Sequence, residues 1–249
     1  MAALRKKAVE IWREDGPITL GKKSVRFGYD TWVRPVLPKR IVTYNGVLVR
    51  ASRFGDSLVP WHTRDVPGYE SALIEGIRQH VEIGDKVTVV GGGWGVSTVE
   101  AAKQAGTEGQ VITFEGGAKT AENVKDTVRL NDVDDHVSVQ HAVVGKAISL
   151  RGEGGLPEVV PPIDLPDCDV LVLDCEGAET GILREMNIRP RAVIVETHGM
   201  FDPPEAVVRD RLDQEGYETI ENTVAEERVR DFCEENGIYV VWAISHDKI

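Results

Sequence analysis

Acidic side chains and one histidine follow two apolar runs in the C-terminal half of the chain. Asp174 and Glu176 come directly after the run DVLVL, and Glu196 and His198 end the next run, AVIVETH. Within each pair the residues are two apart, and in an extended chain such residues point to one side. A histidine with an ordinary pKa near ~6.5 can take a proton from a hydroxyl group, and a carboxylate can orient it. We therefore predict that Glu176, Glu196 and His198 are catalytic.

The same four side chains allow other interpretations. Asp174 could contact an amino group of a cofactor, and His198 could merely cap the turn at the end of its strand. Together with Glu176 and Glu196 they could also supply oxygen and nitrogen ligands to a divalent metal ion, which would lower the pKa of an acceptor directly. We favour a site without a metal ion.

The densest signal in the chain is the string VVGGGWGVST, in which Gly91, Gly92, Gly93 and Gly95 follow an apolar strand and open a helix. Glycines there let the backbone turn sharply and approach a ligand closely. A dinucleotide fingerprint would need a third glycine at Val96, and a P-loop would need Gly-Lys-Ser/Thr, which is absent. Both phosphate-binding interpretations are thereby weakened.

Glu115 ends the next strand, in the string FEGG. A carboxylate at that point can accept both hydroxyls of an adenosine ribose, which is a property shared by NAD and S-adenosylmethionine (SAM) sites. Trp94, in the glycine turn, either packs on the cofactor or substrate or covers the core. A nicotinamide-dependent oxidoreductase and a nucleoside-binding protein without catalysis both remain open at this point.

Five strings, in a consistent order between Tyr69 and Met200, resemble the FkbM-type family of SAM-dependent methyltransferases. They are GGGWG, FEGG, AVVG, LDCEGAE and VETH, and the string DxEGAE is the most specific. The resemblance implies methyl transfer from SAM, commonly to oxygen on small molecules, sugars or glycolipid-like acceptors. It places Gly91, Gly92, Gly93, Trp94, Gly95, Glu115, Gly116, Ala142 and Asp174 at the cofactor. The sequence departs from the family at Val89, where an acidic residue is usual.

Alternating strand and helix patterns after residue 86 predict the fold that must position these residues. The fold class is α/β, a doubly wound, Rossmann-like, seven-stranded and mostly parallel sheet with helices on both faces. An N-terminal β-hairpin is predicted around Asn45-Gly46, and the Gly/Pro-rich residues 152–166 are predicted to be a loop. We assign residues 1–68 to an N-terminal extension and residues 69–249 to the methyltransferase domain.

Composition limits the partners. The chain has 249 residues, with 29 Lys and Arg against 41 Asp and Glu, and a formal net charge of −12. This charge repels phosphate backbones, so we expect a small-molecule or glycan acceptor and no nucleic acid; a homo-oligomer is possible. Three cysteines without a CxxC pair, no apolar run of the length of a membrane span, and a start without a signal-peptide core favour a cytoplasmic protein.

Overall fold

The computed structural model describes residues 27–33, 36–53, 65–145, 156–199 and 204–246. These fall into two compact units. The first holds the described residues up to 41 together with 51–53, and contains one π-helical turn at Tyr29–Val33. The second holds residues 42–50 and the described residues from 65 onward. The assignment of residues 1–68 to an extension and 69–249 to a catalytic domain stays a prediction.

The predicted hairpin is present as strands β1 (Lys39–Tyr44) and β2 (Val47–Arg53). Its two turn residues have positive φ, 46° at Asn45 and 85° at Gly46. A two-residue type I′ turn needs positive φ at both positions, and asparagine and glycine are the residues that adopt it most easily. The Asn-Gly signal in the sequence was therefore sufficient to place this hairpin.

Among the described residues, the main sheet has eight strands in the order β6-β5-β4-β3-β7-β8-β10-β9. All neighbouring pairs from β6 to β8 are parallel, and β10 runs antiparallel to β8 and β9. The central strands are apolar because both faces are covered; all four residues of β7 are buried. The strands are β3 (Lys86–Val90), β4 (Gln110–Glu115), β5 (Val137–Val144), β6 (Glu158–Val160), β7 (Val170–Leu173), β8 (Ala192–His198), β9 (Tyr217–Val224) and β10 (Ile238–Ser245).

The predicted α/β, mostly parallel fold is confirmed, with one strand more than the seven expected. The additional strand is β6, which lies inside the segment predicted to be a loop and pairs in parallel with Ala142–Val144 at the sheet edge. It has only three residues and is flanked by Pro157 and Pro161. A strand of that length shows no alternating pattern, so only its pairing with β5 identifies it.

The helices that cover the sheet form two groups. Helices α1, α2 and α3 pack side by side, and α4 packs against α5. The helices are α1 (Ser71–His80), α2 (Val96–Ala105), α3 (Ala118–Leu130), α4 (Glu179–Glu185), α5 (Glu205–Gln214) and α6 (Arg230–Asn236). Within the described parts of the chain, none of the helices combines the length and apolar character needed to cross a bilayer. The cytoplasmic location stays a prediction.

The strand order creates a natural place for a ligand. From β3 the chain proceeds to β4 and β5 on one side, and later returns to β7 and β8 on the other side. In open α/β sheets ligands bind in the crevice outside the carboxyl ends of the strands at such a reversal. The glycine turn follows β3 and Asp174 follows β7, so the fold brings two of the predicted site segments to this point.

Candidate active site

A cavity of about 500 Å³ opens at the carboxyl edge of the sheet, where β3 and β7 meet. This volume lies within the range of small-molecule sites. Ten of the twelve predicted site residues line it, and the other two, Gly92 and Gly95, belong to the glycine turn beside it. Lining residues from the ends of the central strands and their turns are Val90, Gly91, Gly93, Trp94, Phe114, Glu115, Gly116, Ala142, Asp174, Cys175, Glu176, Glu196 and His198.

The glycine turn is shaped by a close approach to the next strand. Gly91 has φ 96°, and a Cβ atom there would lie 1.8 Å from the backbone oxygen of Asp174. Gly91 and Gly93 line the cavity, whereas Gly92 and Gly95 are buried beside it. Gly95 precedes the first turn of α2 with φ 83°. Position 91 therefore requires glycine, both because φ is positive and because the backbone of Asp174 leaves no room for a side chain.

Glu115 lies where the sequence predicted, at the end of β4 facing the glycine turn. Its Oε2 accepts hydrogen bonds from the backbone N–H groups of Gly92 (2.9 Å) and Gly93 (3.2 Å). Its Oε1 accepts one from the N–H of Gly117 at 2.7 Å. A carboxylate has about four lone-pair positions, so these three bonds fix its orientation and leave about one further acceptor position. Gly116 and Ala142 line the cavity beside it.

Aromatic rings border the glycine turn. Trp94 lines the cavity and meets Tyr44 edge to face, with ring centroids 6.3 Å apart and planes at 80°. Tyr44 also packs on Tyr69, with centroids 4.8 Å apart, and Tyr69 is a second ring on the cavity wall. Trp94 is thus both held by a neighbouring ring and accessible to a ligand; its predicted contact with a cofactor stays a prediction.

Asp174, Glu196 and His198 come together at the cavity wall. His198 Nε2 is 3.4 Å from Glu196 Oε1 and 3.6 Å from Asp174 Oδ1. Glu196 and His198 belong to β8, in which alternate residues share a side, as the sequence predicted. Glu176 lines the same cavity but lies outside this cluster. The extended-chain argument does not apply to Glu176, because β7 ends at Leu173 and Glu176 has φ 55°.

Electrostatics around His198 favour its protonated form. Burial alone lowers the pKa of the imidazole, but the carboxylates of Glu179, Glu196 and Asp174 outweigh burial and raise it to about 11. Burial, and then the charge of Glu196, raises the pKa of Asp174 well above its ordinary value. His198 therefore holds its proton at neutral pH unless another positive charge offsets the carboxylates. The catalytic roles of Glu176, Glu196 and His198 stay predictions.

Three further acidic residues at the site were not singled out from the sequence. Glu179 is 1% exposed, and its carboxylate accepts from the N–H groups of Cys175 (3.2 Å) and Gly177 (2.8 Å). It is the last residue of the string LDCEGAE, so its position was a usable signal. Glu70 and Glu226 also line the cavity, and Glu226 Oε1 accepts from the N–H of Glu70 at 2.9 Å. Neither stands in a recognisable motif.

The cavity is strongly acidic. Burial, followed by the charge of Glu196, raises the pKa of Glu70 to about 8. Among the described residues that line the cavity there is no lysine or arginine, and His198 is the one histidine. Six carboxyl groups line it, those of Glu70, Glu115, Asp174, Glu176, Glu196 and Glu226. Such a wall favours a cationic ligand and repels phosphate groups.

Comparisons with known proteins identify the fold. No protein-family model matches the chain, and no curated protein matches it. Among solved structures, the transferase PH0793 of Pyrococcus horikoshii is similar with a TM-score of 0.50 and 14% identity, over 83% of this chain and 71% of that chain. The [4+2]-cyclase SpnF is similar with a TM-score of 0.50 and 12% identity, over 70% of this chain and 79% of that chain.

A SAM-dependent methyltransferase from Aquifex aeolicus is also similar, with a TM-score of 0.44 and 14% identity over 70% of this chain and 88% of that chain. At these identities the comparisons concern the fold, which is the Rossmann-like α/β fold predicted from the sequence. A cyclase stands among proteins of this fold, so the activity has to be argued from the site itself.

Proposed function

We propose that the protein is a SAM-dependent methyltransferase. The observation that carries this proposal is an acidic cavity whose wall includes Glu115, the predicted ribose-binding residue, at the end of β4. SAM carries a sulfonium and an ammonium group and no phosphate, whereas NAD carries two phosphates. Six carboxyl groups on the described wall, with no lysine or arginine, suit the first ligand and oppose the second.

The predicted cofactor residues are compatible with SAM. A side chain at Gly93 would project toward the cavity, where its Cβ would meet only Glu70 Oε1, at 3.9 Å. The turn of Gly91–Gly95, with Trp94, Glu115, Gly116 and Ala142, would hold the adenosine part, and Asp174 the amino group. Val89, where the FkbM-type family usually has an acidic residue, is fully buried in β3. Asp174 at the end of β7 supplies an acidic group from the neighbouring strand.

Methyl transfer from a sulfonium is an in-line displacement, so the protein mainly aligns the acceptor with the methyl group and excludes water. SAM supplies the electrophilic methyl group. In this chain Glu176, Glu196 and His198 line the cavity together with Asp174 and would orient the acceptor. His198 would receive the acceptor's proton once the positive charge of bound SAM offsets the carboxylates that keep the imidazole protonated. Glu179 lies behind His198, with its Oε1 3.9 Å from Nδ1, and its charge favours the protonated ring.

We infer an oxygen acceptor on a small molecule, a sugar or a lipid-linked glycan. The support is the resemblance of LDCEGAE and VETH to FkbM-type methyltransferases, together with the location of both strings at the cavity. A nucleic acid acceptor is disfavoured because the acidic wall and the net charge of −12 would both repel its phosphates.

Calorimetry with S-adenosylhomocysteine, its 2′,3′-dideoxy analogue and NAD⁺ tests the cofactor. We expect the wild-type protein to bind S-adenosylhomocysteine and to bind the dideoxy analogue at least about tenfold more weakly, because hydrogen bonds to a charged group are worth about 1.5–3 kcal/mol. In Glu115→Ala the two affinities should become equal, because the ribose hydroxyls of S-adenosylhomocysteine no longer have a carboxylate to bind. Glu122→Ala, on the exposed side of α3, is the matched control and should keep the ratio.

The ratio, rather than the affinity alone, is decisive because Glu115 also holds the glycine turn. Saturable binding of NAD⁺ with no binding of S-adenosylhomocysteine would reject the proposal. Equal binding of the two adenosyl ligands to the wild-type protein would reject the role of Glu115. Transfer of tritium from labelled SAM to hydroxylated sugars and lipid-linked glycans then tests the acceptor class.

A further inference from the structure

We propose that Asp174, Glu196 and His198 form a binding site for one divalent metal ion. One potential ligand atom from each residue lies within 4.8 Å of the other two. All three residues line the cavity, two of them on β8 and one directly after β7. Two of the three ligands thus lie on a strand, which holds ligand atoms more precisely than a loop does, and the third directly follows the neighbouring strand.

The spacing of the three side chains is compatible with a shared ion. His198 Nε2 is 3.4 Å from Glu196 Oε1 and 3.6 Å from Asp174 Oδ1, and both distances exceed the usual hydrogen-bond length. Ligand atoms bound at about 2.1 Å to one ion, at angles of about 90–110°, are themselves about 3.0–3.4 Å apart.

Glu196 provides the independent indication of a ligand. The residue is 8% exposed and lines the cavity, yet no hydrogen-bond donor among the described residues reaches its Oε2. A buried carboxylate oxygen without a partner costs free energy, and buried charges are normally paired or coordinate a metal. An ion bound between Glu196 and Asp174 would give this oxygen a partner.

Glu179 completes the arrangement from behind. Its Oε1 lies 3.9 Å from His198 Nδ1, on the side of the ring away from Asp174 and Glu196. Histidines that bind a metal through one ring nitrogen commonly face a carboxylate with the other, which fixes the ring orientation. Because Glu179 is itself held by two backbone N–H groups, it can serve as such a support.

The donor set indicates the kind of ion. Two carboxylates and one imidazole suit a divalent first-row cation such as Mn²⁺, because carboxylates favour hard ions and imidazole favours the later metals. Three protein ligands leave positions that face the cavity. If the proposed methyl transfer is correct, on which this role rests, such a cation could bind the acceptor oxygen and lower its pKa.

The test uses Mn²⁺ and the full chain, freed of metals with EDTA and desalted. The electron paramagnetic resonance signal of free Mn²⁺ should fall on titration, with saturation at one ion per chain. Glu196→Gln, which keeps size and shape, should weaken binding at least tenfold. Glu226→Gln removes the same charge from the same cavity outside the cluster and should change the affinity less than threefold.

A spin-echo measurement on the wild-type complex provides a readout that does not depend on a variant. Modulation from an imidazole nitrogen is expected, because His198 is the one histidine on the described cavity wall. Absence of saturable Mn²⁺ binding, or binding without nitrogen modulation, would overturn the proposal, as would equal losses in the two glutamine variants. Mn²⁺ binding without S-adenosylhomocysteine binding would instead reject the proposed function and leave the metal site standing.

Discussion

At the scale of single residues, Glu179 supports the site although it does not line the cavity. Its carboxylate binds the N–H groups of Cys175 and Gly177 and faces His198, while only 1% of the residue is exposed. It therefore holds the turn after β7 and places a negative charge beside the histidine at the end of β8. Burial alone raises the pKa of Glu179, but the neighbouring His198 and the backbone N–H groups outweigh burial and lower it, which keeps this carboxyl ionised.

Glu179→Ala should reduce the free energy of unfolding by about 2–4 kcal/mol, because it leaves two N–H groups without their acceptor and removes a negative charge beside a buried imidazolium. Urea denaturation measures this loss. Glu185→Ala, at the exposed end of the same helix, should change stability by less than about 0.5 kcal/mol. Equal stabilities of the two variants would show that Glu179 does not support the turn.

At the scale of elements, the site depends on how closely β3 and β7 approach each other at their carboxyl ends. The N–H of Asp174 donates to the oxygen of Val90 at 2.8 Å, and the N–H of Gly91 donates to the oxygen of Phe114 at 2.9 Å. The turn after β3 is thus bonded to the strands on both sides. Gly91 is the residue at which this arrangement leaves no room for a side chain.

Gly91→Ala should cost more than about 3 kcal/mol of stability, because the new methyl group would overlap the backbone of Asp174 and φ would stay in the left-handed region. Thermal and urea unfolding provide the measurement. Gly181→Ala is the matched control, since a Cβ atom added to this helical glycine in α4 would meet no other atom within 4 Å. That change should stabilise by about 0.5–1 kcal/mol; a similar gain at Gly91 would contradict the close approach.

At the scale of the whole molecule, the two ends of the parallel strands have different roles. Opposite the cavity, Arg191 before β8 forms a paired contact with Asp85 before β3, at 2.9 and 3.3 Å. Its Nη2 also donates to the backbone oxygen of His80 at the end of α1, at 2.9 Å. These bonds join segments that are distant in the chain. We therefore expect this end of the sheet to stabilise the fold and the carboxyl end to bind the ligand.

Arg191→Met should lower the free energy of unfolding by about 2 kcal/mol, since Asp85 would remain largely buried without its partner. The affinity for S-adenosylhomocysteine should stay within about twofold of wild type. Denaturation and calorimetry on the same preparation test both statements. Arg189→Ala, an exposed neighbour, serves as the control; a parallel loss of ligand affinity in Arg191→Met would refute the division between the two ends.

The amino-acid sequence by itself determined the local features. Asn45-Gly46 specified a hairpin because positive φ is required at both positions, and the all-apolar run at β7 specified a central parallel strand because both faces are buried. Glu115 was found because a strand and a glycine turn fix its place in any doubly wound sheet. Each of these features depends only on residues that are close together in the sequence.

Only the tertiary structure decided which side chains meet. Strand β6 exists because it pairs with β5, and Glu176 leaves the cluster because the chain turns after Leu173. Glu70, which carries no motif, reaches the cavity because α1 begins there, and Glu196 has a buried oxygen without a partner because of what surrounds it. Distances between residues far apart in the chain depend on packing of the whole sheet, which no local pattern encodes.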